Sequence, residues 1–585
     1  MTTLLPPDRL EAEPVARPLP APRRRRKRDL GLRLAIGACL AFVLLASVFP
    51  TVTVLGTGLS AEALPRYVEF FTSSQQLRVL GNTLLLGTLV GLVGTAVGFL
   101  FAYVQTRLAV PFKRVLHVIA LVPIVSPPFA VATATIVLYG RSGAVTHDLL
   151  GLDYDIYGLD GLVFVLSLSL FPVGYLGLLG MMRALDPAME EAAMIMGASR
   201  WRIFRTVILP LLAPGLVGPF LLLFVEAIAD LANPLVLGGD FNVLASQAYI
   251  AVNGSYDLPG AAVYCVILLI PAIGLYVAQR YWLGRKVRTT VTGKPSGTVH
   301  LVTNWTRWPV YALAVLVSAV IVSLYGTVLV GAFTRLFGVD NSLTLDHVRY
   351  VFDAGAEALT DTTVLALIAT PVAGTLGMVI AWLVVRQLRR GGGWLDLAGM
   401  LGIAVPGTVL GIGYLLAYRL DLYVGPVRIV PALVGGSTVA GGAIGILLAF
   451  VARSVPGGLR TASASLTQLD PHIDEASTSL GARPLQTFRW VTLPLIRPAL
   501  LSGLSYSFAR CMTSVSTIVL LVTPETKIIT SQILGAADSG RYGVAFAYCT
   551  FLIAVVLAAF AIIRLLVGGA APLHRVAQSR GRRNR

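Results

Sequence analysis

The sequence predicts an all-α integral membrane protein of about twelve transmembrane helices, arranged as two parallel six-helix repeats. Three observations predict it. Many apolar runs are long enough to cross a bilayer, the loops between them alternate between basic and acidic, and one polar segment occurs twice.

Hydrophobic residues make up 56% of the 585-residue chain and charged residues 13%, with a mean hydropathy of +0.78. A bilayer core of ~30 Å takes ~20 apolar residues per helix. Runs of that kind lie at 34–56, 80–104, 113–138, 161–182, 212–236, 259–282, 307–332, 362–385, 394–418, 430–452, 497–522 and 542–566. Their number and length exclude a soluble protein with a buried helical core, and the gaps hold no amphipathic helices to cover one.

A formal charge of +17 raises nucleic acid as a partner, but its distribution points to membrane orientation instead. Lys and Arg collect in short cytoplasmic loops and set the topology. Arg23 to Arg28, with Lys27, precede the first span and place the N-terminus inside. Alternate counting then puts Arg107, Lys113, Arg183, Arg205, Arg285, Arg386 and the Arg-rich C-terminus inside as well. The opposite loops carry Asp148, Asp153, Asp155 and Asp160, then Asp340, Asp346, Asp353 and Glu357. The resulting division is a basic cytoplasmic tail (1–30), a first half (31–283), a cytoplasmic linker (284–306), a second half (307–568) and a basic cytoplasmic tail (569–585). The Arg run before an apolar segment is only superficially a signal peptide, because the apolar segment is too long and no cleavage site follows. Cys39, Cys265, Cys511 and Cys549 all lie in apolar spans without CxxC pairing, and the six histidines have no ligand spacing. No metal site or cofactor is therefore expected, and His117 reads as a packed or interfacial side chain.

The repeated segment reads Leu185-Asp186-Pro187, Glu191-Ala192-Ala193, Gly197-Ala198, Phe204-Arg205 and Leu209-Pro210. It returns as Leu469-Asp470-Pro471, Glu475-Ala476-Ser477, Gly481-Ala482, Phe488-Arg489 and Leu493-Pro494. The offset is constant (475 − 191 = 481 − 197 = 494 − 210 = 284). Roughly half of about thirty aligned positions are identical, the mark of an internal duplication. Further upstream, Asn82-Thr83, Gly98, Ala102, Arg107 and Pro127 match Asp361-Thr362, Gly377, Ala381, Arg386 and Pro406 at an offset of 279 (361 − 82). Six spans separate equivalent points, and an even number keeps both halves in one orientation. Within each loop, Asp186 and Asp470 suit a helix N-cap, followed by Pro187 and Pro471 at the first helical position. Glu190, Glu191, Asp474 and Glu475 complement the helix dipole, while Gly197 and Gly481 can end the helix in the left-handed conformation. Such a short capped helix between spans is a rigid lever. The Ala residues beside its acid leave a low face for another protein.

Glu-Ala-Ala, three residues, Gly, nine residues, an aliphatic, one residue and Leu-Pro resembles the EAA loop of ABC importer permeases. The departures are Val207 and Val491 in place of Ile, and Ser477 in place of the second Ala. The resemblance spans both halves. It implies a type I importer permease fold in which Glu191, Ala192, Ala193, Gly197 and Ala198, with Glu475, Ala476, Ser477, Gly481 and Ala482, form coupling helices that dock on an ATP-binding subunit. The fused arrangement, Asp230-Leu231-Ala232-Asn233-Pro234-Leu235 and Gln279-Arg280-Tyr281-Trp282 resemble the ferric-iron and aminoethylphosphonate branches, with thiamine permeases close by.

Gly293-Lys294 is followed by Pro295 and lacks the upstream Gly of a phosphate loop. ATP is therefore expected on a partner, a homodimeric ATPase, and substrate on an extracytoplasmic binding protein; lipid surrounds the chain and no nucleic acid is involved. This places the chain in a bacterial inner membrane with both termini cytoplasmic. Ferric iron is the leading substrate, with aminoethylphosphonate or thiamine as alternatives. Ionisable residues at membrane depth face cavities or partners. Glu226 and Asp230 share one face of the fifth span, and Glu226 matches Arg510 in the eleventh (510 − 226 = 284). Either Glu226 and Arg510 meet near the pseudo-twofold axis and close the pathway, or each satisfies local groups at an interface. Asn233 and Ser514 are further pathway candidates, and Pro127, Pro128 and Pro406 are expected to bend their spans. The rival class is an ion-gradient-driven transporter, with Asp230 as its coupled acid.

Overall fold

A computed structural model describes residues 30–279, 301–388, 392–436 and 438–568. Both expected tails and most of the 284–306 linker fall outside them, as does the string from Arg280 to Lys294. The described residues are mostly helical, with two small antiparallel hairpins among them, Thr334–Leu336 with Asp340–Leu343 and Leu422–Val424 with Val427–Val430.

Among the described residues nine helices are long and apolar enough to span a membrane, and a tenth span is a bent pair. The departures from twelve have local causes. The third span breaks between Lys113–Val125 and Pro128–Leu149, with a bend of 106°. The ninth breaks into Gly392–Gly399, Leu401–Ala404 and Gly407–Tyr418. Both breaks fall at the matched prolines, where Ser126 and Val405 are extended (ψ 152° and 126°). Proline lacks an N–H and bars its predecessor from the α region, so a helix entering Pro127 or Pro406 must stop. The eleventh span is short, Arg497–Thr513, and the fifth, Arg200–Ile228, ends at the matching point. The tenth starts later than expected, at Ala443 rather than 430, because the apolar stretch Val427–Val430 forms a strand and Gly442 turns the chain at φ 84°. It then runs on to Gln468.

Within each half, the second span (Ser74–Arg107) packs along the fourth (Leu159–Ala184), and the eighth (Ala356–Gln387) along the tenth. The matched glycines allow this approach. A Cβ at Gly98 would lie 2.9 Å from Tyr175 N, and one at Gly377 would lie 2.8 Å from Leu459 N. Small residues let membrane helices approach where no hydrophobic driving force separates protein from lipid. The matched threonines also have a structural role. Leu244 N–H donates to Thr83 Oγ1 (2.9 Å), and Ile529 N–H donates to Thr362 Oγ1 (2.8 Å). Each Thr thus satisfies an orphan donor at the start of a short helix (Leu244–Asn253 and Ile529–Asp538).

The first span of each half leans on the other half. The first span of the chain (Leu30–Gly58) packs on the ninth, where Tyr414 Oη donates to Ala46 O (2.8 Å) and Tyr418 Oη to Leu45 O (2.5 Å). The seventh (Arg307–Gly331) packs on the third, with Tyr325 Oη 2.5 Å from Ser126 Oγ. This exchange binds the halves together and leaves the broken third and ninth spans, the fifth and the short eleventh around the centre.

Candidate functional site

The two repeated loops fold alike. In the first, Asp186 Oδ1 accepts from Ala188 N (3.0 Å) and opens the helix Pro187–Ile195; in the second, Asp470 Oδ1 accepts from His472 N (3.0 Å) and opens His472–Ser479. Gly197 and Gly481 end these helices at φ 79° and 90°. A second short helix follows in each (Arg200–Ile203 and Pro484–Thr487). A wide turn at Phe204–Ile208 and Phe488–Thr492 then leads into the next span.

No neighbour lies within 4 Å of a Cβ built on Gly197 or Gly481, so only backbone conformation restricts these sites. Alanine at either position is expected to cost about 1–2 kcal/mol locally, the penalty for a Cβ in the left-handed region. Hydrogen exchange of the loop amides measures it, and unchanged protection in both variants would refute it.

An ion pair ties each loop helix to its half. Arg107, at the end of the second span, contacts Glu190 at 2.6 Å, with both side chains nearly dry (3% and 9% exposed). Arg386, its repeat partner, meets Asp474 at 3.3 Å (11% and 24% exposed) and also donates to Leu466 O (2.9 Å) and Leu469 O (2.8 Å). Asp474 further accepts from Thr492 Oγ1 (3.1 Å). The acids that anchor the helices are thus the ones just before the motif's Glu191 and Glu475. Glu191 is half-buried, Ala193 is buried, and Ala192, Gly197, Ala476 and Gly481 are exposed, with Ala198 and Ala482 between. Ser477 Oγ lies 2.9 Å from Thr487 Oγ1, joining the two short helices of its loop.

Glu475 is 72% exposed and contacts His472 Nδ1 at 3.1 Å. That hydrogen bond, with the charges of Asp470 and Glu475, raises the His472 pKa above the ordinary histidine value. A raised folded-state pKa means the contact is fully formed at low pH and is lost as pH rises through it. In Glu475→Gln, His472 is expected to titrate at lower pH than in the wild type, the Asp470 charge alone remaining to raise it. Imidazole NMR shifts report this directly, and an identical titration in both proteins would contradict it.

The loops also present apolar tips. Met196 is 81% exposed and Leu480, at the matching position (480 − 196 = 284), is 90% exposed. Sequence reading passed over them because the two residues differ and only the apolar character repeats.

At the centre, the fifth and eleventh helices bring Glu226 and Arg510 together: one guanidinium nitrogen lies 3.3 Å from each carboxylate oxygen. Asp230 does not join them. It accepts from Asn233 N (3.1 Å) and Asn233 Nδ2 (2.7 Å), capping the short helix Ala232–Leu237. Asn233 is fully buried. Ser514 is buried, and its carbonyl accepts from Thr530 Oγ1 (3.0 Å). Arg453, missed in the sequence, donates to Gly402 O (2.8 Å) and Val405 O (3.2 Å), closing the carbonyl end of the broken ninth span. No group of three or more His, Cys, Asp or Glu able to hold a metal occurs among the described residues.

A family model described as the inner membrane component of binding-protein-dependent transport systems matches twice, at residues 94–289 and 373–570. The chain belongs to this family. As a binding-protein-dependent transport component it is a multi-pass inner-membrane permease of the ABC importer class, and its two matches are the two halves seen in the fold. It is 36% identical over 569 residues to the ferric transport system permease protein FbpB of Actinobacillus pleuropneumoniae, covering 92% of this chain and 79% of that one. It is 35% identical over 475 residues to a putative ferric transport system permease protein, FbpB 1, of Haemophilus influenzae, covering 79% and 73%. The molybdenum transport system permease protein ModB of Escherichia coli is 28% identical over 199 residues, 32% of this chain and 84% of that one.

Proposed function

We propose that this permease carries ferric iron into the cytoplasm. An extracytoplasmic binding protein delivers the iron, and ATP hydrolysis on a separate homodimeric subunit drives its passage. The loop-bearing face is cytoplasmic, as the Lys and Arg distribution requires. One observation carries the coupling role. Both loops hold the same capped helix, anchored by an equivalent arginine–carboxylate pair and tipped by the same exposed apolar position. A rigid helix fixed to the second or eighth span transmits a push on its tip to the transmembrane helices. Two such helices on one face suit a partner with twofold symmetry.

Iron is the substrate reading because the relatives covering most of the chain are named ferric permeases. Glu226 and Arg510 close the pathway between the halves in the state described. Equivalent positions of two repeats touch only near the axis that relates them, so their contact lies on the central route. Asp230, the acid that an ion-gradient mechanism requires, is engaged as a local cap.

The test is ATP hydrolysis by the reconstituted complex, with iron, aminoethylphosphonate or thiamine offered on their binding proteins. Iron alone should stimulate it, and Gly197→Pro with Gly481→Pro should abolish the stimulation. Stimulation by another substrate would overturn the iron reading. Uptake that follows an ion gradient without an ATPase would overturn the coupling.

A further inference from the structure

Below the Glu226–Arg510 contact, toward the loop-bearing face, a cavity of about 190 Å³ opens between the halves, lined by Tyr276, Gln279, Met400 and Arg460. It narrows upward between Leu221, Val225 and Ile403, with Val225 next to Glu226 on the fifth span. Arg460 follows Arg453 by seven residues on the tenth span, two turns along one helix face. The two guanidinium groups differ in occupation. Arg453 is buried against the carbonyls of Gly402 and Val405, whereas Arg460 is exposed and makes no ion pair among the described residues. No carboxylate lines the cavity among those residues.

The Arg460 guanidinium from the second half and the Gln279 amide from the first offer N–H donors around a space large enough for a small oxyanion. Guanidinium in particular matches the paired oxygens of phosphate and carboxylate. The fixed charges nearby reinforce this preference. Arg510, Arg453 and Arg460 all act on Glu226, and with Asp230 one turn further on, three guanidinium groups stand against two carboxylates, leaving an excess of positive charge at this depth. A bare trivalent cation would be repelled there, whereas a phosphate-type oxyanion, or a metal ion travelling with one, is attracted.

We propose that Arg460 and Gln279 form an oxyanion site at the inner end of the pathway, taking phosphate-type groups. Its place at the exit rests on the importer reading above. The oxyanion comes either with the cargo or from an anionic lipid headgroup that reaches the cavity from the membrane.

The experiment is equilibrium binding of [³³P]phosphate to the full chain in nanodiscs of phosphatidylcholine, with and without added phosphatidylglycerol. Saturable binding is expected, weakened roughly tenfold in Arg460→Gln, as loss of a charged hydrogen bond implies, and largely kept in Arg460→Lys. Arg460→Lys also serves as the folding control. Displacement of phosphate by phosphatidylglycerol would support the site and assign it to a headgroup, and persistence would assign it to a free or cargo-borne anion. Equal phosphate binding by wild type and Arg460→Gln in both disc types, or none in either, would overturn the proposal. ATP-dependent ⁵⁵Fe uptake is measured separately, so its absence would remove the iron reading while the phosphate result stood.

Discussion

Arg107→Ala is expected to lower stability by about 3–5 kcal/mol, because it removes the guanidinium from beside a nearly dry carboxylate, Glu190. It should also uncouple ATP hydrolysis from transport, since the first loop helix loses its tie to the second span. Glu190→Ala should behave similarly by stranding Arg107. The double variant Arg107→Ala/Glu190→Ala should be milder than either single one, because no uncompensated charge remains. Stability and coupling should then separate, with the melting temperature partly recovered and the coupling still lost. In the second half, Arg386 also holds the carbonyls of Leu466 and Leu469, so even Arg386→Lys should weaken coupling by losing the guanidinium fork. Thermal unfolding of the purified chain and binding-protein-stimulated hydrolysis by the complex give the two readouts. An Arg107→Ala protein with wild-type melting and coupling would remove the anchor from the mechanism.

The same pair shows what the sequence revealed and what it did not. The duplication, the parallel halves, the helix caps and the terminating glycines were legible, because each follows from short-range spacing and residue chemistry. Asp186 and Asp470 cap the helices through side-chain bonds two residues away, and Gly197 and Gly481 take positive φ. The anchor was not legible as such. Arg107 and Arg386 were visible as matched residues, but only the fold shows that they turn toward Glu190 and Asp474 rather than toward the motif's own Glu191 and Glu475. The shape of the spans was hidden for a related reason. Apolar composition does not distinguish a continuous helix from one broken at Pro127 or Pro406, nor a helix start from the strand Val427–Val430. Thr83 and Thr362 were matched without a reason, which the fold supplies as capping across helices.

Glu226→Arg is expected to reduce uptake by at least about tenfold, since it sets two guanidinium groups face to face where an ion pair stood. The position makes the test specific. Glu226 and Arg510 occupy the same place in the two repeats, and their helices end two and three residues later, at Ile228 and Thr513. Exchanging the charges, Glu226→Arg with Arg510→Glu, puts the same pair on opposite sides of the axis and should restore much of the uptake. Full recovery is not expected, because the surroundings are asymmetric. Arg453 sits on the second half where the first has Ser169 (453 − 169 = 284), so the exchanged carboxylate and guanidinium meet a different field from the originals. Glu226→Gln should fall between the extremes, removing the attraction without adding repulsion. A contact that merely satisfies local groups makes the opposite prediction: each half would read its own charge, and the exchanged protein would be no better than the worse single variant. An exchanged variant as inactive as Glu226→Arg, at wild-type expression and melting temperature, would show that the pair does not act as one unit across the axis.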